Sequence, residues 1–185
     1  MPFIESFNEL SHTSSGTHPN YSILAIPAFY TLSLIPHGAA VYLATQGKLD
    51  QWDNRNPRSS QKKEALKAKL GDDQFAAYER AEAAHANSME NLPLFATAII
   101  LGNMAGFKKE GWKGLYGFAA AFIAIRTLHS IVYIGERTQA ASMARSGLWA
   151  AGTALCLNVI TKSAFALGAV VKGVSWSGAS AFRAE

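Results

Sequence analysis

Long apolar stretches alternate with short polar segments along this chain. The first apolar stretch runs from Tyr21 to Gln46, and two others cover Leu115–Gly135 and Arg145–Val171. Between them, Gln74–Met104 is polar in its first half and apolar in its second. About 20 helical residues cross a bilayer core of about 30 Å. The pattern therefore predicts an all-α fold, an integral membrane four-helix bundle.

A water-soluble four-helix bundle is the alternative fold. The mean hydropathy of +0.06 is low for a membrane protein. The first and last apolar stretches, however, are apolar all round, which a helix on the surface of a soluble protein avoids. Charged residues make up 16% of the chain, against about 25% in soluble domains. These two observations favour the membrane.

The same pattern divides the chain into three parts. Residues 1–20 read as a polar lead-in and not as a cleavable signal, because no basic segment precedes an apolar one. Residues 21–171 form the helical domain, and residues 172–185 form a tail. Inside the domain, Asn56-Pro57 indicates a turn, and Ser59 or Ser60 is expected to cap a short helix.

The distribution of charge indicates orientation and partners. No Lys or Arg precedes Lys48, whereas the first connection is rich in both, which predicts that this loop is cytosolic. The net charge of +4, without a block of basic and aromatic residues, excludes nucleic acid as an expected partner. The single cysteine, Cys156, excludes an intramolecular disulfide and is expected to be a buried, inert thiol.

Polar residues recur at helical spacing inside the second and third predicted helices. Ionisable groups at membrane depth are costly and usually face the interior of a bundle. The stripe on the second helix consists of Arg80, Asn87, Glu90 and Asn91. The stripe on the third helix consists of Arg126, His129 and Tyr133. Glu90 is expected to pair with a basic group of another helix. Together the stripes can bind a zwitterionic or acidic small molecule or move a proton.

The alternative is that these polar residues only hold the helices together. No metal site is predicted, because His85 and His129 lack a partner four residues away, which helical zinc ligands usually have. At the start of the last helix, Arg145 can anchor the helix at the interface or favour a nearby thiolate.

Residues 80–95, RAEAAHANSMENLPLF, strongly resemble the signature of the MAPEG family, the membrane-associated proteins in eicosanoid and glutathione metabolism. Three shorter segments agree in order: NPR at 56–58, RTLHSIVY at 126–133 and ARSGLW at 144–149. The resemblance covers roughly residues 21–170 and is nearest to the microsomal glutathione S-transferase-like members. It implies four transmembrane helices, a homotrimer with sites between subunits, residence in the endoplasmic reticulum, and glutathione as cofactor.

The resemblance also implies roles for single residues. Arg145 matches an arginine that stabilises the thiolate, and Ser146 matches a serine near the sulfur. The residues that match or lie near groups binding glutathione are Lys48, Arg80, Asn87, Glu90, Arg126, His129 and Tyr133. Tyr133 and Glu90 are also expected to take part in the chemistry. Ala83 and Ala86 depart from the family, because members that form prostaglandins and leukotrienes have arginines there that bind the carboxylates of glutathione.

Three functions follow. The first is a membrane-bound, glutathione-dependent transferase or peroxidase that acts on a lipophilic electrophile, with the thiolate stabilised by Arg145. The second is a glutathione-independent isomerase or cyclase that uses Glu90, His129 and Tyr133 to handle protons; the two alanines favour it. The third is a non-enzymatic, lipid-binding scaffold.

Overall fold

The computed structural model describes residues 18–53, 55, 59–136 and 138–173, with side chains up to residue 168. These residues form five α-helices and one 3₁₀ turn, and no strand occurs among them. The elements in chain order are α1 (Tyr21–Thr45), the 3₁₀ turn (Leu49–Gln51), α2 (Ser60–Leu70), α3 (Asp72–Met104), α4 (Leu115–Gly135) and α5 (Gln139–Gly173). The predicted all-α class is confirmed for this part of the chain.

Three of these helices are long and apolar enough to cross a membrane: α1, α4 and the Gln139–Gly168 part of α5. Their apolar side chains are in part exposed, with Ile35 and Ile131 each 62% exposed and Phe165 78% exposed. Such surfaces suit lipid and not water. The chain is therefore a helical membrane protein. α3 has 33 residues, but its first half is charged, and a fourth crossing by α3 stays a prediction.

The predicted start of the last helix was wrong. We expected residues 136–144 to form a connection and Arg145 to open the helix, but α5 begins at Gln139. The Thr138 hydroxyl accepts a hydrogen bond from the backbone N–H of Ala141 at 3.2 Å, which satisfies a free donor of the first turn. The following residues, QAASMA, include good helix formers. Arg145 therefore lies in the second turn of α5.

A side-chain network joins the start of α1 to the end of α3. Asn20 caps α1 by accepting from the N–H of Ser22 at 3.2 Å. The Asn20 amide also donates to Asn103 Oδ1 at 2.7 Å, and Asn103 Nδ2 donates to Ser22 Oγ at 3.0 Å. Because the N-terminus of α1 meets the C-terminus of α3, the two helices run antiparallel.

Aromatic rings fill the core between α1, α3 and α4. The rings of Phe95 and Phe122 stack with centroids 4.3 Å apart, and Phe29 contacts both rings edge-on. At one end of this core, Gly117 packs so closely on the preceding turn that a Cβ would lie 2.1 Å from the carbonyl oxygen of Trp112. The ring contacts fix the packing of α4 against α1 and α3, and the close approach at Gly117 fixes the turn that precedes α4.

The short helix α2 follows the first connection. Ser59 caps it by accepting from the N–H of Lys62 at 3.2 Å, as one of the two predicted caps. Leu66 and Leu70 are buried, and α2 contacts α3. The predicted Asn56-Pro57 turn, the NPR segment, residues 1–17 of the lead-in and residues 174–185 of the tail lie outside the described residues.

Candidate functional site

The deepest polar contact joins α3 to α4. Arg126 is only 1% exposed, and its Nη2 donates to Asn87 Oδ1 at 2.7 Å and to the Asn87 carbonyl at 3.2 Å. Asn91 Nδ2 donates to the same carbonyl at 2.8 Å. Nε and Nη1 of Arg126 have no hydrogen-bond partner in the part of the chain that the structure describes. The predicted stripes of the two helices therefore face each other here.

Helix α5 completes the packing around this arginine. Gly152 is buried, and a Cβ at this position would lie 3.5 Å from Arg126 Cδ. Cys156, one turn later, is fully buried, as predicted for an inert thiol. The guanidinium is thus enclosed by three helices, and its Nη2 links α4 to Asn87 of α3.

One turn further along α4, an aromatic pair leads from the buried arginine towards α5. His129 is 1% exposed, and its ring contacts the ring of Tyr133 edge-on, with centroids 5.6 Å apart. The Cζ atom of Arg145 lies 4.4 Å from the centroid of the Tyr133 ring. A guanidinium at this distance is attracted by the π-electrons of the ring. Tyr133 therefore fixes the position of Arg145.

Arg145 has two further partners. It forms an ion pair with Glu136, whose side chain is 16% exposed, and its Nη2 donates to Ser142 Oγ at 3.3 Å. Glu136 and Ser142 belong to the segment that the sequence analysis treated as a connection. No local pattern relates Glu136 to Arg145, because the break between α4 and α5 separates them.

These groups border a polar pocket of about 390 Å³, here called the α5 pocket, lined by Arg80, Glu136, Thr138, Gln139, Ser142 and Arg145. Arg80 is held there because its Nε donates to the carbonyl of Ile134 at 3.1 Å. The α5 pocket thus combines two guanidinium groups with a carboxylate, two hydroxyls and an amide. Charges of both signs can bind a zwitterionic ligand.

Three predicted site residues are not part of this arrangement. Glu90, Lys48 and Ser146 are all exposed and do not line the α5 pocket. The expected ion pair of Glu90 with a basic group of another helix does not form with any residue that the structure describes, since α3 turns this carboxylate to the outside of the chain. Their predicted roles stay predictions.

A second polar cavity, of about 910 Å³, lies between α1 and α3 and is here called the α1–α3 cleft. His37 Nδ1 lies 2.9 Å from Glu82 Oε1, and His85 Nδ1 lies 2.7 Å from the Ser33 carbonyl. The centroids of the two imidazole rings are 5.2 Å apart. The sequence analysis missed this cluster, because no spacing rule relates residue 37 to residues 82 and 85.

Ala83 and Ala86, the two departures from the family pattern, line this cleft. Within the described residues, no group of three His, Cys, Asp or Glu side chains could hold a metal ion. The polar chemistry of the cleft therefore depends on its imidazoles, its carboxylates, the phenol of Tyr78 and the ammonium group of Lys63.

The fold and these polar surfaces define a class: an α-helical membrane protein with ionisable groups between and beside its helices. A sequence profile of the MAPEG family matches residues 23–165, well over half of the chain. The chain therefore belongs to the MAPEG family. Comparison with curated proteins and with solved structures found no match. Membership suggests, in general, a membrane protein of glutathione-related transfer or eicosanoid metabolism.

Proposed function

We propose that the protein is a glutathione-dependent membrane enzyme. It transfers the thiol of glutathione to a lipophilic electrophile or uses it to reduce a lipophilic hydroperoxide. The observation that carries this proposal is Arg145, held over the ring of Tyr133 at the edge of the α5 pocket. Membership of the MAPEG family, which in general suggests glutathione-related transfer, supports the same activity.

The α5 pocket fits the charges of glutathione. The tripeptide has two carboxylates, one ammonium group and a thiol. Arg80 and Arg145 provide guanidinium groups, which bind carboxylates with two parallel hydrogen bonds, and Glu136 provides a carboxylate for an ammonium group. Thr138 and Ser142 add hydroxyls. With Arg145 assigned to the thiol, the pocket offers Arg80 for a carboxylate and Glu136 for the ammonium group.

Arg145 acts on the thiol. Bound glutathione supplies a nucleophilic sulfur, and a nearby cation favours the thiolate over the thiol. Tyr133 keeps the guanidinium in place, whereas Ser146 is exposed and does not line the pocket in the single chain. Because Glu136 also pairs with Arg145, part of its positive charge is already neutralised. The rest of the rate enhancement comes from holding the two reactants together.

The other predicted residues bind the peptide or position the groups that do. Asn87 and Arg126 hold α3 against α4, and His129 packs beneath Tyr133. Glu90 and Lys48 are exposed in the single chain, and we assign them to contacts with glutathione at the boundary between subunits of a homotrimer. In this proposal the protein has four crossing helices, lies in the endoplasmic reticulum and has a cytosolic first loop.

The other two functions are less well supported by the geometry. A glutathione-independent isomerase based on Glu90, His129 and Tyr133 requires these groups to share one site. In the chain Glu90 is exposed, whereas His129 is buried. A lipid-binding scaffold requires the polar groups to be structural, whereas those of the α5 pocket surround an open cavity of about 390 Å³.

A thermal-shift titration of the detergent-purified protein with glutathione tests the proposal. Millimolar glutathione should raise the melting temperature, and Arg145→Ala should remove most of this rise. Lys162→Ala is the matched control, since Lys162 is an exposed cation on the same helix. In assays with a lipophilic electrophile, Arg145→Ala should lower kcat by a factor on the order of 10². A wild-type protein that glutathione does not stabilise would refute the proposal, and stabilisation without turnover would support the scaffold.

A further inference from the structure

We propose that the α1–α3 cleft is a second, glutathione-independent site, at which His37 and Glu82 catalyse proton transfer on a lipophilic carbonyl compound. The proposal rests on the 2.9 Å contact between these two side chains in a cavity of about 910 Å³. It does not depend on the function proposed for the α5 pocket, since the two sites share no residue.

The hydrogen bonds fix the tautomers of both imidazoles. A carboxylate and a backbone carbonyl only accept hydrogen bonds, so the Nδ1 atoms of His37 and His85 must both carry a proton. Each neutral ring therefore has its lone pair on Nε2. A base whose second nitrogen is held by a carboxylate is the arrangement found in acid–base catalysis.

The partner of His37 makes it the base of the proposed step. A carboxylate on one ring nitrogen orients the imidazole and balances the charge that it carries during the transfer. His37 has a carboxylate as partner, whereas His85 has a neutral carbonyl. The side chains of His37 and Glu82 are 43% and 31% exposed, so a ligand in the cleft can reach them.

The other groups of the cleft select the reaction. No Ser, Thr or Cys side chain is among the residues that line it, and the described residues contain no group suited to a metal ion. Covalent catalysis by a serine, threonine or cysteine therefore has no candidate among the residues that line the cleft. Proton abstraction next to a carbonyl needs only a base and a donor for the oxygen. Lys63 and Tyr78 line the cleft and provide such donors.

The position of the cleft indicates a lipophilic substrate. His37 lies in α1, a candidate membrane span, about 12 Å along the axis from the end of that helix. Ala83, Ala86 and Met89 give the cleft apolar walls. Arginines at positions 83 and 86 would place two cations in this space, whereas the alanines leave room for an apolar molecule.

In the proposed step, the C–H bond next to the carbonyl breaks, and the proton passes to Nε2 of His37. The electron pair moves onto the carbonyl oxygen, and the ammonium group of Lys63 stabilises the resulting enolate. The imidazolium, stabilised by Glu82, then returns the proton to the γ-carbon, which shifts a double bond into conjugation with the carbonyl. The step consumes no oxidant, reductant or co-reactant.

The test follows the isomerisation of a long-chain β,γ-unsaturated ketone to the conjugated ketone by ultraviolet absorbance, with the full-length protein in detergent and without glutathione. His37→Gln should lower kcat by about 10² and Glu82→Gln by about tenfold, with KM unchanged. The double variant should be no slower than His37→Gln, because the two groups act as a unit. Glu64→Gln, an exposed carboxylate on α2, should keep full activity.

Loss of folding is checked by the melting temperature, which both cleft variants should keep, since their side chains are partly exposed. Turnover by the wild type that equals that of His37→Gln would overturn the proposal. So would additive effects of the two substitutions, which would indicate two unrelated structural roles. Neither result bears on the α5 pocket, whose test uses glutathione and Arg145.

Discussion

The contact between Asn87 and Arg126 gives the sharpest test of the packing around the site. Asn87→Ala removes the Oδ1 atom that accepts from Arg126 at 2.7 Å and leaves only the 3.2 Å contact to the backbone carbonyl. Nε and Nη1 already lack partners among the described residues. The substitution therefore leaves a buried cation, 1% exposed, with a single weak acceptor.

The size of the effect follows from the type of contact. A hydrogen bond to a charged group contributes about 1.5–3 kcal/mol, and removal of one partner of a buried charge costs about 3–5 kcal/mol. Because one acceptor remains, we expect Asn87→Ala to lower the free energy of unfolding by about 2–4 kcal/mol. Asn158→Ala, at an exposed asparagine on α5, should change it by less than about 0.5 kcal/mol.

Equilibrium unfolding in mixed micelles, with helicity followed by circular dichroism, measures both values. A double-mutant cycle separates the contact from other effects. In the Arg126→Met background no cation needs an acceptor, so Asn87→Ala should cost less than about 1 kcal/mol there. Equal costs in the two backgrounds would show that Asn87 does not stabilise the guanidinium, and the account of the buried contact would be refuted.

Three further predictions concern other parts of the chain. Gly117→Ala should destabilise the protein by about 3 kcal/mol, because its Cβ would lie 2.1 Å from Trp112 O. Gly152→Ala has its nearest contact at 3.5 Å and should cost less than about 1 kcal/mol. Thermal unfolding of the two variants measures the difference. Hydrogen bonds from Arg55 lower the pKa of Asp53 from 3.8 to about 2. The Asp53–Arg55 contact should therefore be fully present above pH about 4 and lost as the pH falls to about 2. An NMR titration of the Asp53 carboxyl carbon measures this pKa, and a midpoint near 3.8 would contradict the prediction. Glu136→Gln should raise the thiolate fraction of bound glutathione, because Arg145 loses a competing anion. The ultraviolet absorbance of the thiolate measures this fraction. A decrease would contradict the proposal that Arg145 stabilises the thiolate.

Most helix bounds could be predicted, because apolar length and turn residues determine them. Leu115–Gly135 was predicted as it is found, and α3 begins at Asp72, two residues before the predicted start. The start of α5 could not be predicted from hydropathy, because QAASMA is neither clearly apolar nor rich in turn residues. Thr138 decides it through a hydroxyl that accepts from Ala141, and this depends on local geometry.

The contents of the site were predictable only in part. Helical spacing correctly placed Asn87 and Arg126 on facing surfaces, since the period of 3.6 residues decides which side chains share a stripe. The side of α3 on which Glu90 lies, however, depends on how far each helix rotates about its axis when the four long helices pack. No periodicity in one helix determines that rotation. The His37–Glu82 contact could not be predicted for the same reason, because it depends on how α1 packs on α3.

The resemblance to the family identified Arg145 but not the group that controls its charge. An arginine favours a thiolate in proportion to the positive charge it presents, and a carboxylate in contact with the guanidinium reduces that charge. Glu136 makes this contact across the break between α4 and α5, and Tyr133 holds the pair in place. In the proposed function, the reactivity of the thiol therefore depends on the Glu136–Arg145 pair together, and a residue-by-residue match to a motif cannot reveal this pair.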